Sequence, residues 1–318
     1  MKVRLGIDLG GTFIKAGIVS EHYKVLYNFK VPSGAESGNQ VVIYNLKRIC
    51  NDLLMICNNE GYKVLSIGIG SPGTISQPNG KVTDASPNIK NWQGTILTKV
   101  FSDYNIPVYA DNDANSVALA EYLIGYKCRY KDMVFVTIGT GIGGGLIIDG
   151  SLYRGSSYTA AEIGHIVIKH NGRLCGCGRR GCLEAYASVP NMMKRFRYWS
   201  KKHGGKALQK VSPAEMYGLF KKGDKAAKYT IEENADYLGA GLGSLVNVLN
   251  PQAIVIGGGF ADAGREYISL IQEAIKRNAF KAAVSNLKVL KARLSNNAGF
   301  IGASLLSFVD DNGKIIAK

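Results

Sequence analysis

Asp8-Leu9-Gly10-Gly11-Thr12-Phe13-Ile14-Lys15 puts a carboxylate at the end of an apolar run, followed by two glycines, a hydroxyl and a lysine. Val3 to Asp8 is largely apolar and Phe13 to Val19 resumes the pattern, which predicts two strands joined by a tight glycine turn. Glycines let backbone N–H groups approach a phosphate closely, the hydroxyl can donate to it, and the acid can hold a hydrated magnesium ion. The stretch therefore points to a nucleotide, although a plain hairpin also uses a glycine pair. The second half repeats this grammar, with a strand from Asp132 to Ile138, a glycine turn from Gly139 to Gly145 and a strand from Leu146 to Asp149. Five glycines in that seven-residue turn exceed what a turn needs, so two such turns facing one cleft could hold one polyphosphate.

Between and after these hairpins the pattern is α/β. A third strand is expected near Lys24 to Val31, and Val41, Val42, Leu46, Ile49, Leu53 and Ile56 recur at helical spacing. Leu65 to Gly70 and Val108 to Asp111 read as strands and Ala114 to Leu123 as a helix. Helical patterns follow over Cys182 to Trp199 and Asp224 to Leu249, the latter closed by Asn250-Pro251. Ala253 to Ile256 gives a strand ending in Gly257-Gly258-Gly259, with helices expected over Gly264 to Arg277 and Gly299 to Ser307. At 318 residues the chain exceeds one ordinary core, and the repeated grammar suggests two related lobes that divide near residues 115 to 130.

Composition excludes several classes. No run of about 18 apolar residues could span a bilayer, and Met1 to Asp8 lacks the basic and apolar regions of a signal peptide, so a soluble, cytoplasmic protein is expected with no membrane partner. The formal charge is +15, but its lysines and arginines are scattered, with short clusters such as Lys194 to Arg197 and Lys201-Lys202. A solvated basic surface accounts for that, and no nucleic acid is expected.

Four further groups of residues carry chemistry. Asp111-Asn112-Asp113-Ala114-Asn115 sits at a strand-to-helix junction, where Asn and Asp also serve as helix caps. Phosphoryl transfer needs a carboxylate to orient the attacking hydroxyl and accept its proton, and Asp113 beside Asn112 suits that task. Gly70-Ser71-Pro72-Gly73 is a turn at a strand's carboxyl end, where ligands of α/β proteins usually sit. His165, Cys175, Cys177 and Cys182 supply one imidazole and three thiols with glycines between them, a set that suits tetrahedral structural zinc; a redox thiol cluster is the alternative. Glu162 and Glu184 flank that loop and could accept hydrogen bonds from sugar hydroxyls, or be solvated surface groups.

Taken together these motifs resemble the ROK family of repressors, open reading frames and kinases, and its glucokinase-like branch in particular. The resemblance runs essentially end to end. It rests on Asp8-Leu-Gly-Gly-Thr-x-x-Lys15, Gly70-Ser-Pro-Gly73, Asn112-Asp-Ala-Asn115, Gly139 to Gly145, Glu162-Ile-Gly-His165, and the run from Cys175 to Glu184, in that order. It implies a two-lobed actin-like ATPase (ribonuclease H-like) fold, with an N-terminal lobe 1–118 completed by the C-terminal helix 299–318. The second lobe, 119–298, would carry a zinc-stabilised loop at 165–184.

By the same resemblance Asp113 is the general base on the sugar's primary hydroxyl, while Asn88, Asn112, Glu162, His165 and Glu184 hold the sugar ring. Asp8, Gly10, Gly11, Thr12, Lys15, Thr140 and Gly141 line the phosphate site, with Gly257, Gly258 and Gly259 near the adenosine. His165 would serve twice, with one ring nitrogen on zinc and the other toward the sugar. The implied activity is ATP- and magnesium-dependent phosphorylation of an aldohexose at its 6-hydroxyl by a homodimer, glucose first among substrates. Kinases of N-acetylglucosamine, N-acetylmannosamine or allose are alternatives, and a non-catalytic sugar-sensing regulator is a different class. Family repressors carry a helix-turn-helix domain ahead of the first motif, whereas seven residues precede it here, so a repressor is not expected. Family fructokinases tend to have histidine at the middle cysteine of the zinc loop, and Cys177 favours an aldohexose or its N-acetyl derivative.

Overall fold

The computed structural model describes residues 1–84, 89–203, 211–260 and 264–316. The chain forms two compact units, one of Met1–Lys131, Gly145–Ala160 and Asn296–Lys318, the other of Asp132–Gly144 and Ala161–Ser295. In chain order the first elements are β1 (Lys2–Leu9), β2 (Phe13–Ser20), β3 (Val25–Pro32), α1 (Asn39–Asn59) and β4 (Lys63–Ser71). A small hairpin of β5 (Thr74–Ser76) and β6 (Lys81–Asp84) follows, then α2 (Leu97–Val100), β7 (Val108–Asn112) and α3 (Asp113–Ala120). Next come β8 (Met133–Ile138), β9 (Ile142–Ile148), β10 (Ser151–Leu152), α4 (Glu184–Ala187), α5 (Val189–Lys202), α6 (Pro213–Lys221) and α7 (Lys225–Leu249). The chain closes with β11 (Ala253–Gly257), α8 (Arg265–Asn278), α9 (Lys281–Val284), β12 (Lys288–Lys291) and α10 (Ala298–Ser304).

Two five-stranded sheets result, ordered β3-β2-β1-β4-β7 and β10-β9-β8-β11-β12. Each follows the same order, third, second, first, fourth and fifth strand. In the first sheet β1, β2 and β3 pair antiparallel while β1, β4 and β7 run parallel. In the second β8, β11 and β12 run parallel. Alternate side chains explain the first hairpin, because Val3, Leu5, Ile7 and Leu9 of β1 and Ile14, Ala16 and Ile18 of β2 are wholly buried. The inward face of α1 carries Val42, Leu46, Ile49 and Leu53 as the spacing predicts, joined by Cys50 and Cys57, while Val41 is exposed. Burial pushes the Cys50 thiol up to about 12 and the Cys57 thiol up to about 11, so both act as small hydrophobes.

Several expectations shift. The single helix predicted over Cys182 to Trp199 is two, because Ser188 is extended and Pro190 opens a new helix at α5. The helix after Asp111 ends at Ala120 and passes into a wider turn over Glu121–Gly125. Helix α6 was not anticipated, yet Ser212-Pro213-Ala214-Glu215 spells a capping box: the Ser212 hydroxyl accepts the Glu215 N–H and the Glu215 carboxylate accepts the Ser212 N–H. Asn250 closes α7 in the left-handed region, as its place before Pro251 suggests.

Within the first unit, α10 packs on the sheet without an intervening layer of side chains. A methyl group on Gly6 of β1 would overlap the Phe300 carbonyl, and one on Gly68 of β4 would overlap the Ala303 carbonyl. On the helix's other side, a methyl on Gly302 would overlap the Ser116 carbonyl of α3. These three glycines are required by close backbone approach, and overpacking such a seam costs ~1–3 kcal/mol or more. Gly68→Ala is therefore expected to lower the melting temperature by roughly 5 °C or more, or to prevent soluble accumulation. Gly218→Ala, in the open on α6, is the control and should hold or slightly raise it; equal melting of both variants would contradict the seam.

Candidate active site

The first unit brings three predicted segments together, Asp8 to Lys15, Gly70 to Gly73 and Asp111 to Asn115. Asp8 stands at the end of β1 opposite Lys15 of β2. The turn between them is fixed on Ser33, whose N–H donates to the Thr12 carbonyl (2.9 Å) and whose hydroxyl donates to the Gly11 carbonyl (3.0 Å). Gly11 and Thr12 are left exposed. Lys15 Nζ donates to the Asn296 carbonyl (3.1 Å) just ahead of α10.

At the β7–α3 junction the cap is Asn112. Its Oδ1 accepts the N–H groups of Ala114 (2.9 Å) and Asn115 (3.2 Å), and its Nδ2 donates to the Gly73 carbonyl (3.1 Å). With the cap made by Asn112, Asp113 is the first helical residue. Its Oδ1 also accepts the Ala114 N–H (2.8 Å), and its Oδ2 takes no hydrogen bond from another described residue. Gly70 lets this junction close on β4, since a methyl there would lie 3.0 Å from Ser116 Oγ and 3.5 Å from Asp113 Cα. Ser71 accepts the indole N–H of buried Trp92 (3.0 Å), which fixes the Gly70 to Gly73 turn. Asn88 lies outside the described residues.

Burial pushes the Asp8 carboxyl up to about 7, the Asp113 carboxyl adds to the rise and Lys15 opposes it. Burial raises Asp113 too, against the lowering effect of the Ala114 N–H and its own. Two carboxyl groups enclosed near one another resist ionising together, and a bound cation would relieve both. Beside them lies a pair that sequence reading passed over, Asp111 and Arg154, whose Nε donates to Asp111 Oδ2 at 2.7 Å.

The second unit assembles the remaining residues. The turn after β8 is shorter than predicted, with the Gly139 N–H donating to the Gly141 carbonyl (2.9 Å), and β9 already begins at Ile142. Gly143, Gly144 and Gly145 are thus strand residues. A methyl at Gly144 would lie 2.5 Å from the Ala161 carbonyl and from Ile163 Cδ1, so close packing, not phosphate, accounts for that glycine. Gly258, at φ 92°, abuts the Ile138 backbone, which sets the Gly257 to Gly259 turn against the start of the Gly139 to Gly141 turn, at the carboxyl ends of parallel β8 and β11. Thr140 lies within the shorter turn.

His165, Cys175, Cys177 and Cys182 converge, their ligand atoms all within 4.8 Å of one another. Cys177 Sγ and Cys182 Sγ are 3.7 Å apart, and Cys175 Sγ is 3.9 Å from His165 Nδ1. A tetrahedral ion with metal–sulfur bonds of about 2.3 Å sets its sulfurs ~3.8 Å apart, so the donors fit such an ion. Burial raises the Cys175 and Cys182 thiols, so metal binding there must displace protons. His165 turns Nε2 away from the sulfurs, 3.9 Å from Glu162 Oε2. Glu184 Oε2 accepts the Ile142 N–H (2.9 Å) and its Oε1 lies 3.7 Å from Cys175 Sγ, so one carboxylate spans the thiol cluster and the glycine turn.

Comparison with known proteins bears on this arrangement. The pattern of the ROK family matches residues 4–308. A glucokinase of Thermotoga maritima is 32% identical over 308 residues, covering 94% of this chain and 95% of that protein. A xylose repressor of Caldicellulosiruptor bescii is 32% identical over 327 residues, covering 96% of this chain and 78% of the repressor. Among solved structures, a ROK family glucokinase from Streptomyces griseus in complex with glucose and AMPPNP superimposes with a TM-score of 0.82 at 31% identity, covering 95% of this chain and 98% of that one.

The raised Asp8 carboxyl gives a stability test on metal-free protein. A carboxyl whose folded pKa lies above its unfolded value favours the fold at low pH, and that contribution is lost as pH rises from about 4 through about 7. Asp8→Asn removes the loss. It should melt higher than the parent at pH 8.5, by roughly 5 °C, with the gap narrowing by pH 5. Melting curves that stay parallel across that range would show that Asp8 ionises freely.

Proposed function

The chain belongs to the ROK family, and from that premise we propose that it is an ATP-dependent sugar kinase. On this reading it transfers the γ-phosphoryl group to the 6-hydroxyl of an aldohexose, with glucose first and N-acetylglucosamine, N-acetylmannosamine and allose as alternatives. The observation that carries it is Asp113: a carboxyl group at the first turn of α3, relieved of capping by Asn112, with one oxygen unengaged by another described residue and its pKa raised by burial. Those are the requirements of a base that accepts a proton from an alcohol.

Each residue then has a role. Asp113 orients the attacking hydroxyl and takes its proton as the oxygen bonds to phosphorus. Asn112 keeps one amide hydrogen for the sugar after its cap and its bond to Gly73 are made. His165 Nε2 and Glu162 face one another and offer a donor and an acceptor to ring hydroxyls, with Glu184, and Asn88 by resemblance, as further contacts. Gly10, Gly11, Thr12 and Lys15 receive phosphate from one turn, Thr140 and Gly141 from the other, and Gly257 to Gly259 border the adenosine. Magnesium, held through water by Asp8, would neutralise charge on the phosphates. Zinc bound by His165, Cys175, Cys177 and Cys182 would be structural, because a closed four-ligand set leaves no open position for substrate. On this reading the fold is actin-like, and the protein is a cytoplasmic homodimer.

Turnover with ATP and magnesium across glucose, mannose, N-acetylglucosamine, N-acetylmannosamine, allose and fructose is the test. One aldohexose should turn over, and Asp113→Asn should lower kcat by about 10²–10⁴-fold while sugar binding persists. Similarity to the xylose repressor supports a second reading, a sugar-binding regulator, and sugar binding without turnover would establish that instead. Purified protein should hold about one equivalent of zinc, with chelation lowering its melting temperature. Less than about half an equivalent, together with an unchanged melting temperature for Cys177→Ser, would exclude the structural ion.

A further inference from the structure

Asp111 and Arg154 are 43 positions apart in sequence, and both side chains are almost wholly buried, at 1% and 7% exposure. Every oxygen of the Asp111 carboxylate is engaged. Oδ2 accepts from Arg154 Nε (2.7 Å), while Oδ1 accepts the Asn112 N–H (2.7 Å) and the Asn115 amide (3.0 Å). The second of those bonds ties the strand end to the first turn of α3, so Asp111 grips the residues on both sides of Asp113. At 1% exposure it is closed to a substrate.

Arg154 anchors this grip elsewhere in the unit. Its Nη1 donates to the Asp310 carbonyl (3.1 Å), the first residue of a tight turn closed by Gly313 N–H to Asp310 and Asp310 N–H to Lys314. The same turn holds β10, because the Leu152 N–H donates to the Gly313 carbonyl (2.8 Å). Three separated segments thus meet at one guanidinium: the end of β7, the strap that follows β10, and residues 310–314. The stretch Gly145–Ala160, which contains β10 and this strap, lies between two of the chain's passages from one compact unit to the other.

A buried ion pair is a poor way to gain stability, since a well-packed apolar pair of similar volume often does as well. Its distinctive property is direction, because a guanidinium and a carboxylate meet in few geometries. We propose that Asp111 and Arg154 are a positioning pair for phosphoryl transfer, fixing the Asn112–Asp113 junction relative to the strap so that the Asp113 carboxylate meets the sugar hydroxyl. The proposal rests on the kinase reading of Asp113.

The experiment compares the parent, Asp111→Asn and the double variant Asp111→Asn with Arg154→Gln, with kinetics per folded molecule and melting temperature measured on each. Asp111→Asn sets an amide against an unpaired guanidinium, and kcat should fall about 30–100-fold with the KM for ATP within about twofold, because no phosphate contact changes. In the double variant two amides can exchange a donor for an acceptor, and kcat should recover at least about tenfold over Asp111→Asn. A role in stability alone would lower the melting temperature of Asp111→Asn while leaving its kcat within about threefold of the parent, and would overturn the proposal. Failure of the double variant to regain kcat, although it folds, would overturn it too. A parent with no sugar turnover would refute the kinase reading itself, and the pair's role with it.

Discussion

The contact of α10 with β1, β4 and α3 through bare backbone constrains everything else in the first unit. Gly6, Gly68 and Gly302 remove the side-chain layer that usually separates helix from sheet. Peptide groups then touch directly, and close-packed interiors have little freedom to adjust. Two consequences reach the chemistry. The amino end of α10 abuts Asp8, where a methyl on Gly299 would overlap the carboxylate, and Ser116 of α3 abuts Gly302 one turn after Asp113. The seam therefore sets how far the end of β1 lies from the start of α3, and with it how strongly Asp8 and Asp113 oppose each other's ionisation.

That opposition is a local cost, and such costs gather at working sites. A cation next to Asp8 would relieve it, and a proton acceptor with a raised pKa is better matched to an alcohol than an ordinary carboxylate is. The neighbouring Asp111 shows the contrast within three residues of sequence. It is the more deeply buried of the two, at 1% exposure, and Arg154, Asn115 and the Asn112 N–H compensate it, whereas Asp113 keeps one oxygen unengaged by another described residue. In the second unit the thiol cluster has the corresponding duty. It gathers a loop with little secondary structure, and Glu184 carries that order to the Gly139 to Gly141 turn.

Much of this was legible in the sequence wherever a residue type has one use. Alternating Val3, Leu5, Ile7 and Leu9 could only be a strand, and three cysteines and a histidine at loop spacing converge as expected. Glycine was the ambiguous letter. The same residue admits a phosphate at a turn or another backbone in a core, and Gly144 proved to be of the second kind while Gly6 and Gly68 drew no notice. The Asx run hid its division of labour for a similar reason, since Asn112 and Asp113 can each cap a helix and only hydrogen bonds tell which does. Arg154 was invisible because nothing near it in sequence announces a partner 43 positions away. The break at Ser188 and the capping box at Ser212, by contrast, were written plainly and overlooked.

The central claim is that Asp113 is the group that receives the sugar's proton. A crystal structure with glucose, magnesium and a non-hydrolysable ATP analogue tests it most directly. The account predicts the primary hydroxyl oxygen of glucose within about 3 Å of an Asp113 carboxylate oxygen, with the γ-phosphate facing that hydroxyl. Glucose bound with its primary hydroxyl turned away from Asp113, toward another carboxylate or toward solvent, would contradict it.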